Sequence, residues 1–97
     1  MTHLRVLREA AEELEAIAQY YEAERLGLGR AFLVEVRRAR LRIQERPLGS
    51  RIERAEVRAQ SVARFPYRIY YRAREDEIVV IAIAHRRRRP GYWRARL

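Results

Sequence analysis

Arg64-Phe65-Pro66-Tyr67-Arg68-Ile69-Tyr70-Tyr71-Arg72, then Arg74-Glu75-Asp76-Glu77, then Ile78-Val79-Val80-Ile81-Ala82-Ile83-Ala84, is the stretch that decides the fold. Its first run alternates, with Tyr67, Ile69 and Tyr71 on one face and Arg68, Tyr70 and Arg72 on the other. Its last run is apolar throughout and rich in β-branched residues, which predicts a strand covered on both faces. The charged tetrapeptide between them suits a hairpin loop. Alternation places Ile78, Val80, Ala82 and Ala84 on one side of the second strand and Val79, Ile81 and Ile83 on the other. Tyr70 and Tyr71 cannot share a face; Tyr71 is expected in the core and Tyr70 outside. The strand exits into His85-Arg86-Arg87-Arg88-Arg89-Pro90, with four consecutive arginines.

Upstream, His3–Leu7 alternates as a short strand would. Leu7, Ala10, Ala11, Leu14, Ile17, Ala18 and Tyr21 recur at helical spacing, and Glu9, Glu12, Glu13 and Glu22 form an acidic solvent side. No Ser, Thr, Asp or Asn stands at the expected cap. Gly27-Leu28-Gly29 marks a tight connection. A second helix follows, with Phe32, Val36, Ala39 and Ile43 as its stripe and Leu33 beside them. Its outer side carries Arg37, Arg38, Arg42 and Arg46. Like charges four apart cost a few tenths of a kcal/mol, roughly; glutamates of the first helix or an acidic partner would offset them. Pro47-Leu48-Gly49-Ser50 ends the helix. Arg51–Ala55 reads as loop and Glu56–Val62 as a weak strand.

The predicted order is β-α-α-β-β-β, an α+β, two-layer domain with a helix hairpin on a mainly antiparallel sheet. A single helical layer covers one sheet face. The other needs either the C-terminal turn around Trp93 or a partner.

Ninety-seven residues suffice for one small domain, 1–97. There is no cysteine, and the two histidines have no metal-ligand spacing, so no metal site or cofactor is expected. No apolar run reaches membrane-spanning length, so a cytoplasmic protein is expected. The net charge is +9, and every basic charge among the 22 is arginine. Residues 1–26 hold three arginines against six glutamates, so the basic field belongs to the rest of the chain. Such a surface attracts nucleic acid or an acidic protein.

These pieces resemble the ParE/RelE superfamily of bacterial toxins from type II toxin–antitoxin pairs, within its ParE-like, plasmid-stabilisation branch. The similarity spans nearly the whole chain. It runs through Ala10-Ala11-Glu12-Glu13-Leu14, Tyr20-Tyr21, Pro47-Leu48-Gly49, Val57-Arg58, Phe65-Pro66-Tyr67-Arg68-Ile69-Tyr70-Tyr71, and His85 to Pro90 with Tyr92-Trp93. The resemblance implies that the first strand lies beside the last, and that a cognate antitoxin wraps the toxin. ParE-like members poison DNA gyrase; RelE-like members cut messenger RNA on the ribosome.

For the nuclease alternative, Arg68 and Arg87 match the two arginine positions of RelE-like toxins, with Tyr92 and His85 as the remaining candidates. The match fails on the preceding strand, where Ala59 and Ser61 replace lysines, and at Trp93, which replaces a tyrosine. Arginine holds phosphate well but is too basic to take a proton near neutrality, which leaves His85. A histidine at a strand end is, however, more often a structural hydrogen-bonding residue. The favoured reading is a non-enzymatic gyrase inhibitor. Arg86, Arg87, Arg88, Arg89, Tyr92 and Trp93 would bind the target, and Arg37, Arg38, Arg42 and Arg46 an acidic antitoxin. Glu12 and Glu13 read as a solvated helix face.

Overall fold

The computed structural model describes residues 2–97. Strand β1 (His3–Val6) leads into helices α1 (Arg8–Glu24) and α2 (Leu28–Glu45). Strands β2 (Arg51–Arg54), β3 (Val57–Ser61), β4 (Tyr67–Arg74) and β5 (Glu77–His85) follow, then a short 3-10 turn at Arg94–Arg96. The five strands form one sheet in the order β1-β5-β4-β3-β2. β1 runs parallel to β5, first strand beside last; the other pairings are antiparallel. This is the expected α+β architecture with one strand more.

That strand is β2, where a loop was expected. Arg51 and Ile52 pair with Ala59 and Arg58, and the chain turns through Ala55 and Glu56 at φ 53° and 62°. A two-residue hairpin turn of this kind needs positive φ at both central positions and usually carries Asn-Gly or Asp-Gly. Ala-Glu gives no such signal, and the polar sequence of β2 suits a sheet edge.

The hairpin β4–β5 carries the core. Tyr67, Ile69, Tyr71 and Ala73 face the helices, where Leu4, Phe32, Val36, Ala39, Ile43, Ile78, Val80 and Ile83 meet them. Tyr71 is fully buried, and its hydroxyl donates to the Pro47 carbonyl at 2.8 Å, tying the end of α2's exit to the sheet. Alternation along β5 does not hold to its end. Tyr70 pairs with Ala82 but Tyr71 with Val80, so Ile81 is an extra residue. This bulge shifts the phase by one. Ile83 therefore joins Ile78 and Val80 under the helices, whereas Ala82 and Ala84 lie with Ile81 on the far face.

The far face has its own core: Val57, Tyr70, Ile81, Ala82 and Ala84 beneath Trp93. Trp93 is 1% exposed, and its ring centroid lies 5.9 Å from that of Tyr70. Of the two covers considered for this face, the C-terminal turn is the one found. Tyr70 is thus buried too, at 7%, contrary to expectation.

The helix hairpin closes at Gly29. A Cβ there would sit 2.5 Å from the Ala18 carbonyl oxygen, so the helices touch through backbone. The Glu22 carboxylate accepts from the Gly27 and Gly29 amides at 2.9 and 3.0 Å, capping α2 in place of the missing side-chain cap. Gly29→Ala should destabilise the protein by about 1–3 kcal/mol through forced helix separation. Urea denaturation would read this, and an unchanged midpoint would mean that the helices slide apart freely.

Candidate functional site

The four-arginine exit of β5 stands on a rigid mount. The Arg86 amide donates to the Pro66 carbonyl at 2.9 Å, and the Arg88 amide to the His85 carbonyl at 2.9 Å. The Arg87 amide donates to His85 Nδ1 at 3.0 Å. With Nδ1 accepting, the neutral His85 ring carries its proton on Nε2. Its ring lies edge-on to Tyr67, 5.4 Å between centroids. His85 thus holds the turn from which the arginine run starts. Arg86, Arg87, Arg88 and Arg89 are all exposed. Among the described residues none of them is within ion-pair distance of a carboxylate.

Downstream, the chain is fastened by a residue that the sequence places on a solvated face. Glu13 of α1 accepts a 2.7 Å bond from the Tyr92 hydroxyl and two 2.9 Å bonds from the Arg96 guanidinium. Its Oε1 also accepts from the Ile83 amide at 3.0 Å, and Arg96 donates to the Ile81 carbonyl at 3.1 Å. β1 pairs with β5 only as far as Val80, so Ile81 and Ile83 lie on a strand edge without a neighbour. The Glu13–Arg96 pair supplies the donor and acceptor that a further strand would have supplied. Burial alone would raise the Glu13 carboxyl, but the Arg96, Ile83 and Tyr92 bonds outweigh it and hold the group below its ordinary value. Burial, reinforced by the bond to Glu13, pushes the Tyr92 hydroxyl far up, so it remains a donor at any ordinary pH. The Arg88 guanidinium stacks on the Tyr92 ring, 3.9 Å from its centroid, and so is aimed by the same latch.

The nuclease candidates are dispersed. Arg68 is ion-paired with Glu53 at 3.3 Å and lines cavities with Arg86, whereas His85 lines a separate cavity with Glu13, Tyr67 and Arg88. The Tyr92 hydroxyl is committed to Glu13. Trp93, expected among the target-contacting residues, has its side chain in the far-face core.

On α2, Arg37, Arg38, Arg42 and Arg46 are exposed as expected. Their offset differs from expectation. Arg38 pairs with Glu35 of its own helix at 3.2 Å, and Arg64 approaches the same carboxylate at 3.6 Å. Among the described residues no glutamate of α1 reaches an α2 arginine. Leu33, Val34 and Leu41 of the same helix are exposed as well, and Leu26 is 91% exposed at the helix turn. Between the helices runs an apolar groove of about 540 Å³ that includes Ala11, Leu14, Ala18, Gly29 and Leu33.

The family model described as "ParE toxin of type II toxin-antitoxin system, parDE" matches residues 4–90. Among solved structures, the fold is similar to a chain of the chromosomal ParDE toxin–antitoxin system from P. aeruginosa. That likeness has a TM-score of 0.77 at 22% identity, covering 88% of this chain and 96% of the other. A comparison with curated proteins finds no match. With the family model spanning both helices and the β4–β5 hairpin, the chain belongs to the ParE toxin family of type II toxin–antitoxin systems.

Proposed function

We propose that this toxin acts in the cytoplasm by binding DNA gyrase through the Arg86–Arg89 loop, stalling a DNA–enzyme intermediate without chemistry of its own. One observation carries the reading: four exposed arginines without carboxylate partners are held on a fixed mount, between the Pro66 carbonyl and the Glu13–Tyr92–Arg96 latch. Unpaired guanidiniums presented by ordered backbone favour an acidic surface or phosphate. The gyrase target is the family's.

An acidic antitoxin would neutralise it. The far sheet face is closed by Trp93, and the outside of the helix hairpin offers exposed apolar surface to a partner. There exposed Leu33, Val34 and Leu41 share α2 with exposed Arg37, Arg38 and Arg42. A segment with acidic residues and a few apolar anchors complements that pattern.

Arg87→Ala/Arg89→Ala should abolish growth arrest and inhibition of gyrase supercoiling. The melting temperature should barely move, because exposed charges contribute about 0–1 kcal/mol. Full inhibition by the double variant would refute the site. Cut messages with normal supercoiling would refute the target in favour of the ribosome.

A further inference from the structure

A separate group of arginines lies at the opposite end of the β4–β5 hairpin from the Arg86–Arg89 loop. Arg5, Arg72, Arg74 and Arg96 line a cavity of about 280 Å³, with Leu7, Val79 and Ile81 as its apolar wall. Leu7, Val79 and Ile81 belong to the far-face cluster, so the cavity opens on that side of the sheet. Arg72 stands opposite Val79, and Tyr67 opposite His85. The length of β5 between Val79 and His85 is roughly 20 Å.

The charges around the cavity are unevenly matched. Arg5 is ion-paired with Glu77 at 3.3 Å, and Arg96 with Glu13 at 2.9 Å. Glu77 stands directly opposite Arg74 across the hairpin, yet its carboxylate goes to Arg5. Among the described residues no carboxylate comes within ion-pair distance of Arg72 or Arg74. Arg72 Nε is also the one buried side-chain nitrogen or oxygen without a hydrogen-bond partner among those residues. A buried charged donor left unpaired is costly, so the position favours a ligand that brings an acceptor.

Two guanidiniums without counter-ions match a dianion better than a monoanion. A phosphate monoester carries about −1.5 to −2 at neutral pH and offers three acceptor oxygens, whereas a carboxylate carries a single charge. The guanidinium fork can take two oxygens of one phosphate, and Nε lies on one edge of that fork. The apolar wall calls for an organic group beside the charged head. The volume is near the lower limit for ligand pockets, which suits a small ester rather than a peptide segment.

We infer that this cavity binds a small organic phosphate monoester of the nucleoside monophosphate class. The phosphate sits on Arg72 and Arg74, and the organic group rests against Leu7, Val79 and Ile81. The site shares no residue with the Arg86–Arg89 loop or with the α2 arginines, so it goes beyond the proposed target and antitoxin contacts.

The test is isothermal titration of the whole protein with AMP, without gyrase or antitoxin. AMP should bind with a Kd below about 1 mM, and inorganic phosphate and adenosine at least about fivefold more weakly. Arg72→Lys keeps the charge but loses the fork and should weaken AMP at least about tenfold. Arg74 is exposed, so Arg74→Ala tests the site with the fold intact and should weaken AMP at least about fivefold. Arg40→Ala on α2 and Arg86→Ala at the other end of β5 each remove one exposed charge and should weaken it less than about twofold. Phenyl phosphate binding as tightly as AMP would support a wall that accepts any ring; tighter binding of AMP would support contact with the nucleoside as well. Weakening by Arg86→Ala equal to that by Arg74→Ala would reduce the attraction to net charge and overturn the site. Inorganic phosphate binding as tightly as AMP, or no binding of AMP at about 1 mM, would overturn it too. Because gyrase is absent, failure here leaves the gyrase reading standing.

Discussion

Trp93→Ala is expected to destabilise the protein by about 3–5 kcal/mol, the range for deleting a fully buried aromatic side chain. The indole is 1% exposed and is the cover of the far-face core formed by Val57, Tyr70, Ile81, Ala82 and Ala84. Its loss wets Tyr70 and Ile81 and frees the peptide between Arg89 and Arg94 from the sheet. In a domain of this size each kcal/mol moves Tm by about 4–8 °C, so a fall of at least about 12 °C should appear by calorimetry. Trp93→Phe keeps an aromatic ring over Tyr70 and should recover more than half of the loss. The chain holds a single tryptophan, so wild-type fluorescence should shift red in the same transition that calorimetry detects. A Tm change below about 4 °C for the alanine variant would mean that the far face is stable uncovered.

That role was half legible. The need for a cover followed from one helical layer facing a strand greasy on both sides, but sequence alone left the C-terminal turn and a partner as alternatives. What decided between them is tertiary: Gly91, at φ 77°, turns the chain back so that Trp93 lands on Tyr70. The helices and the β4–β5 hairpin were legible because their periodicities are long and clean. The bulge at Ile81 was not, since a run of uniform apolar residues looks alike in either phase. β2 was hidden by its polar edge sequence and a turn lacking glycine or asparagine. With β2 unseen, Arg51 and Glu53 could not be placed beside Arg68. The arginines of the β5 exit were found because four in a row need no tertiary information. Glu13 was misread for the opposite reason: at helix spacing it belongs to an acidic face, and its partner Arg96 lies 83 residues away.

Glu13→Gln should cost about 2–4 kcal/mol at neutral pH, because a partly buried charge pair is broken and Arg96 is left without its counter-ion. Hydrogen exchange at the Ile83 amide should speed up with it. The pH dependence has a definite sign. The folded carboxyl is held below its ordinary value of 4.5, so the unfolded chain binds more protons between the two values. The contribution is therefore complete above about pH 5 and is lost as pH falls through 4.5 and then through the folded value. The stability-against-pH curves of the wild type and of the Glu13→Gln variant should converge below that window and stay parallel above it. Replacing both partners, Glu13→Leu with Arg96→Leu, gives the sharper test. Exchanging a buried ion pair for apolar residues is often neutral or stabilising. Here it should remain destabilising by about 2 kcal/mol, since the Ile83 amide and Ile81 carbonyl lose the groups that complete the β5 edge. A double variant as stable as the wild type would show that the pair merely neutralises itself and that water serves the strand edge equally well.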